Sequence, residues 1–146
     1  MKLKKYFGIA LIIITLIVIV YFSNQPIEIS RNQTRYAKRL ILSIIGEDSG
    51  IRNLSFGIGL RNLAHLFLYG VLGFLVALVQ RGFGWKIVFY SLLGVLIFAL
   101  LDEFHQSFVP GRGAELKDVG TDLVGGTIGI AFAGVLKKVF RRDKKN

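Results

Sequence analysis

Four apolar runs, divided by charged or turn-forming stretches, set the pattern of the chain. They cover residues 6–22, 63–79, 87–101 and 119–136. Within each run the apolar residues are bunched and not periodic, which marks membrane spans and not the striped helices of a soluble core. Each run is slightly short of the roughly 20 residues that cross about 30 Å of hydrocarbon. Asn62 before the second run and residues 104–109 after the third can extend two of them, the third at least to 103. The pattern predicts an all-α protein, a single domain over 1–146, built as an integral membrane bundle of four helices.

A fifth element is written in a different period. In residues 35–45, Tyr36, Leu40, Ile41, Ile44 and Ile45 fall on one helical face, and Arg35, Lys38, Arg39 and Ser43 fall largely on the other. That is the pattern of an amphipathic helix lying in a membrane interface, with Gly46 as its stop. Two roles fit it: a basic helix resting on anionic lipid, and a lid over an outward-facing site.

Composition agrees with the spans. The chain is 53% hydrophobic, and its mean hydropathy is +0.56. A net charge of +10 would suit nucleic acid, but the Lys and Arg residues gather at the ends of apolar runs, which reads as topology and anionic lipid contact instead. No nucleic-acid partner is expected. Cysteine is absent, so disulfides, thiolate catalysis and cysteine-based zinc sites are excluded. Lys2, Lys4 and Lys5, then Arg81 and Lys86, then Lys137, Lys138, Arg141, Arg142, Lys144 and Lys145 share one side of a four-span topology. The positive-inside rule places that side, and both termini, in the cytoplasm of a cell-membrane protein. The basic start resembles a signal peptide, but no small-x-small cleavage site follows the first run, so it reads as a retained anchor.

Chemistry-bearing residues converge at the opposite side. In the second span His65, Tyr69, Gly73 and Ala77 form one stripe, polar at its outer end and small below. In the fourth, Asp118, Asp122, Gly125, Gly129 and Ala133 do the same. Small residues on a stripe let helices approach closely. The third span ends in Asp102-Glu103-Phe104-His105-Gln106, followed by a Pro110-Gly111 turn and Arg112. If the helix continues past Leu101, Asp102, His105 and Gln106 share a face and Glu103 points about 100° away. Three helices thus bring imidazoles, carboxylates and a guanidinium to one depth, where ionisable groups are costly unless paired or functional. His65, Asp102, Glu103, His105 and Asp122 are the candidate catalytic residues. Tyr69, Gln106, Arg112, Asp118 and Gln25 are the candidate binding residues.

Two chemistries fit that set. His65, His105 and Asp102 are donors that suit a divalent metal such as zinc or manganese, although their spacing matches no named metal motif. Alternatively a histidine oriented by Asp102 or Asp122 acts as general base, while Arg112 grips a phosphate or carboxylate through its planar fork. No serine-nucleophile elbow is present. Asp122 pairing with Arg61 or Arg112 to cement the bundle is the structural alternative.

The stretch from Arg61 through Ala64-His65-Leu66-Phe67-Leu68-Tyr69-Gly70 to Gly73 resembles the second-span signature of the VanZ-like family. Asp102 to Gln106, through Pro110-Gly111-Arg112 to Asp118, resembles its main signature, and Phe22-Ser23-Asn24-Gln25 its short motif after the first span. The resemblance covers almost the whole chain. It implies a small bacterial membrane protein of the type of the teicoplanin resistance protein, with no defined chemistry attached. Many relatives carry Asn where this chain has Asp122, so the resemblance does not support a strict catalytic role there. The expected function is a cell-envelope protein that lowers susceptibility to glycopeptide or lipoglycopeptide antibiotics through an outward polar site. Its expected partners are membrane lipid, a lipid-linked cell-wall precursor or a glycopeptide. Two alternatives stand beside it: a membrane hydrolase or transferase of an anionic headgroup, and a non-catalytic transporter or partner-binding bundle.

Overall fold

The computed structural model describes residues 2–45 and 60–142, which form helices and connecting turns, with no strand among them. Five helices follow in order: α1 Lys2–Ser23, α2 Ile27–Ile45, α3 Leu60–Val79, α4 Trp85–Gln106 and α5 Leu116–Arg142. All but α2 are long and apolar enough to cross a membrane. They form an all-α bundle, and every span runs past the apolar core that marks it in sequence. The flanking polar residues stay helical because a chain entering lipid must keep its backbone N–H and C=O groups paired within the helix. At 1.5 Å per residue α5 is about 40 Å long, more than the roughly 30 Å of hydrocarbon a span must cross.

Bundle assembly rests on α3 and α5. Their small-residue stripes face one another, and a Cβ added to Gly73 would run into the Gly126 carbonyl oxygen, or one on Gly129 into that of Gly70. Any side chain larger than hydrogen would wedge the two backbones apart. Tyr69, Leu72, Val95, Ala99, Val119 and Ile19 pack beside this seam as a buried cluster. α4 lies against α5, and α1 against α3. The remaining faces of the spans carry exposed Ile, Leu, Val and Phe side chains, as lipid-facing surfaces do.

α2 turns sharply away after Pro26 and is longer than the periodic stretch 35–45. Ile27, Ser30 and Ala37 lie half-buried against the bundle. Ile29, Tyr36, Leu40 and Ile44 are exposed, on a stripe that no other described helix covers. Gly46, together with Glu47, Asp48 and Arg52, lies outside the described residues, as do Lys144 and Lys145.

At the end where α3 finishes and α4 begins, Lys137 performs a specific task. Its Nζ donates to the carbonyl oxygens of Ala77 at 2.6 Å, Gln80 at 2.5 Å and Gly82 at 2.9 Å. These carbonyls close α3, where a helix has no internal donors left and the dipole favours a cation. Beside them Gln80 Nε2 donates to Ser91 Oγ at 2.8 Å and to the Val76 carbonyl at 3.2 Å.

Candidate functional site

The other end of the bundle gathers the end of α1, the start of α3, the end of α4 and the start of α5. Asp102 and Gln106, one turn apart on α4, are both buried. Gln106 Nε2 donates to Asp102 Oδ2 at 2.8 Å. Ser23, the last residue of α1, donates its Oγ to the same oxygen at 2.8 Å. Gln106 Oε1 in turn accepts from Arg61 Nη2 at 2.5 Å. One side of the Asp102 carboxylate is therefore fixed by two donors from two helices, while Oδ1 has no partner.

His65, one turn into α3, faces the seam with α5. Its Nδ1 lies 3.5 Å from Asp122 Oδ1 and 3.8 Å from Asp102 Oδ2. Neither approach makes a formed hydrogen bond, although His65 and Asp122 stand within ion-pair distance, and both Asp122 oxygens are buried without a hydrogen-bond partner. Tyr69, one turn further along α3, stacks on the His65 ring with centroids 6.2 Å apart. Its hydroxyl is also buried and unpartnered. His65, Asp102 and Asp122 each offer a ligand atom within 4.8 Å of the others. These three, with Tyr69, make up a polar chamber between α3, α4 and α5 that is filled by their own side chains, with no water-sized space beside His65 and Asp122.

Around the chamber the remaining polar residues hold the scaffold. Arg61 Nη2 approaches Asp118 Oδ2 at 3.6 Å, and Asn62 Nδ2 donates to Asp118 Oδ1 at 3.4 Å. Arg61 thus pairs with Asp118 and not with Asp122. Glu103 Oε2 accepts from the Glu115 backbone N–H at 2.8 Å, just ahead of α5, where a carboxylate suits the exposed donors of a helix start. Arg112 follows Gly111, whose φ of +77° belongs to the left-handed region, and a Cβ there would strike Ile27. The turn sends Arg112 Nη1 to the Ser23 carbonyl, 2.6 Å away, so the guanidinium closes the end of α1. Burial first, and then the neighbouring Arg61 charge, pull Arg112 below the usual guanidinium range; it remains a cation.

His105 is the sequence candidate that the structure separates from the set. It is exposed, whereas Asp102, Glu103 and Gln106 are buried. The buried face of α4 is centred between those three, and a residue at 105 sits about 100° away from that centre. The metal-capable trio is accordingly His65, Asp102 and Asp122, not His65, His105 and Asp102. Gln25 sits half-buried beside the α1 end, its Oε1 without a partner. Ser23 and Arg61 were not among the sequence candidates. The short motif after the first span was a signal for Ser23, and the cation one turn before His65 was a signal for Arg61.

A cleft opens between α2 and the bundle, lined by Ser30, Gln33 and Ala37 on one side and Arg61, His65 and Arg112 on the other. An adjoining hollow is bordered by Arg31, Arg35 and Arg61. His65 thus borders the cleft and also belongs to the chamber.

Fold and site together define a multi-pass helical membrane protein with a polar chamber at one end of its bundle. A family model described as VanZ/LLP1 matches residues 7–137, and the chain belongs to that family. Neither the curated proteins nor the solved structures gave a match to the chain.

Proposed function

We propose that this VanZ/LLP1 protein sits in the bacterial cell membrane with both termini in the cytoplasm. There its outward end binds an anionic headgroup, on a membrane lipid or a lipid-linked cell-wall precursor, and this binding lowers susceptibility to glycopeptides and lipoglycopeptides such as teicoplanin. The observation that carries the reading is the cleft beneath α2. Arg31, Arg35, Arg61 and Arg112 border it or its adjoining hollow, and guanidinium groups suit phosphate recognition. The exposed stripe Ile29, Tyr36, Leu40 and Ile44 supports an interfacial position for α2, at the level of lipid headgroups. Arg81 and Lys86 at the opposite end support the orientation.

The test uses the double variant Arg31→Gln/Arg35→Gln, because both side chains are exposed and lie outside the chamber. Short-chain phosphatidylglycerol is the probe, titrated onto the full chain in neutral detergent. At about 1 kcal/mol per cation near an anionic surface, the variant binds about 30-fold more weakly. In a glycopeptide-susceptible host, wild-type expression raises teicoplanin tolerance and the variant, at equal membrane abundance, does not. Equal phosphatidylglycerol affinity in both proteins would remove the cleft from the reading. Binding without any change in tolerance would remove the antibiotic role.

A further inference from the structure

We propose that the chamber between α3, α4 and α5 is a divalent-cation site for Zn²⁺ or Mn²⁺. Its ligands are His65 Nδ1 and one carboxylate oxygen each from Asp102 and Asp122. This goes beyond headgroup binding and does not depend on it.

The first ground is valence left unused in a buried place. Asp122 is 0% exposed and both of its oxygens lack a hydrogen-bond partner. Asp102 and His65, 6% and 7% exposed, complete the group. A charge inside a membrane protein is kept where it is paired or put to use. The cations nearest the chamber are committed elsewhere, Arg61 to Gln106 and Asp118 and Arg112 to the Ser23 carbonyl. A divalent ion neutralises the two carboxylates and fills their empty lone pairs in one step.

The second ground is geometry. Two ligands of a tetrahedral ion, each about 2.1 Å from it, stand roughly 3.4 Å apart. His65 Nδ1 and Asp122 Oδ1 are separated by 3.5 Å, and the Asp102 carboxylate, whose Oδ1 is the open oxygen, reaches to 3.8 Å of the same nitrogen through Oδ2. All three donor atoms lie within 4.8 Å of one another. Small side-chain rotations bring them to one ion.

The third ground comes from outside the acidic pair. Ligating carboxylates are themselves oriented by hydrogen bonds from a surrounding layer. Asp102 has that layer in Ser23 Oγ and Gln106 Nε2, both 2.8 Å from Oδ2, and its Oδ1 is left open. Tyr69, fully buried, stacked on His65 and beside the same carboxylates, holds an unpartnered hydroxyl. That hydroxyl can donate to an ion-bound water or to a ligating oxygen. A mixed imidazole and carboxylate donor set matches zinc and manganese, and three protein ligands leave a coordination position open.

The experiment uses the full chain in detergent with its affinity tag removed. The protein is stripped with EDTA, then dialysed against Zn²⁺ or Mn²⁺ in separate arms, and metal per chain is measured by plasma mass spectrometry. About one ion per chain is expected in at least one arm, with a rise in melting temperature that EDTA reverses. Asp122→Asn and His65→Gln lose that ion, while His105→Gln retains it. Gln106→Met, which removes a donor that orients Asp102, weakens binding about 10- to 100-fold. A folded wild type that retains neither metal and shows no EDTA-reversible shift overturns the proposal, and the carboxylates are then neutralised by protons. Wild-type stoichiometry in a folded His65→Gln protein overturns it equally, since the ion would lie elsewhere. If both chamber variants fail to fold, the wild-type measurements alone decide.

Discussion

Both ends of this bundle bury polar side chains between helices, but they leave them in different states. At the end where α3 finishes, Lys137 donates to three carbonyls and Gln80 to Ser91 and Val76. Those groups are matched to one another, and the arrangement is complete without any other molecule. At the end where α1 finishes, the buried oxygens and nitrogens lacking a partner belong to Gln25, Arg61, Tyr69, Asp102, Glu103, Arg112 and Asp122. Among the described residues, every buried side-chain polar atom without a partner lies at that end. Buried polar groups are ordinarily satisfied, because an unpaired one costs about 1–3 kcal/mol. A membrane bundle that completes one end and leaves spare hydrogen-bonding capacity at the other has a built-in direction: the first end is closed by its own bonds, and the second carries donors and acceptors that its own residues leave unmatched.

The most damaging way to break this contrast is to part the helices that carry both ends. In Gly129→Leu the new side chain meets the Gly70 carbonyl. The backbones must then separate, at a cost above about 4 kcal/mol. Folded protein should vanish from the membrane fraction, and detergent extracts should give no cooperative melting transition. A well-folded Gly129→Leu protein would mean that α3 and α5 are not held by backbone contact.

Next in size is Lys137→Met, which strips a donor from three carbonyls and costs about 1–3 kcal/mol. Its melting temperature should fall by several degrees, and antibiotic tolerance should fall only in proportion to abundance. Asp122→Asn sharpens the comparison from the opposite side. Melted in EDTA, it should not lose stability, because a neutral amide replaces a carboxylate that has no hydrogen-bond partner. A larger loss in Asp122→Asn than in Lys137→Met would reverse the roles assigned to the two ends.

The smallest effect belongs to His105→Gln. The ring is exposed on the far side of α4, and substitutions of that kind stay within about 0.5 kcal/mol. Neither melting temperature nor tolerance should move. A marked loss of tolerance would extend the site out over the end of α4.

The spans and the convergence of His65, Asp102 and Asp122 at one end were legible in sequence because both follow from one-dimensional rules. Apolar run length gives the helices, and counting along an antiparallel bundle gives depth. The face of α4 was harder to read. Asp102 and His105 are three residues apart and Asp102 and Gln106 four, and only packing against α5 and α1 decides which pair is buried. Pairing partners were harder still. Arg112 could be brought back by its turn, but nothing in the chain specified the Ser23 carbonyl as its target. Lys137 reads in sequence as a topology signal, and its bonds to the end of α3 depend on how far α5 extends alongside it. The cleft beneath α2 depends on the angle of the turn at Pro26, which the amphipathic period does not encode.

The glycine seam also sets how firmly each side of the chamber is held. With backbone touching backbone at Gly70, Gly73, Gly126 and Gly129, α3 and α5 cannot slide past one another by a fraction of a turn. His65 and Asp122, one from each, are therefore a fixed jaw whose spacing is set by main-chain contact. Asp102 and Ser23 arrive on α4 and α1, which meet their neighbours through side chains that can repack. Arg112, clasping the last carbonyl of α1, adds a polar tie between that helix end and the turn before α5.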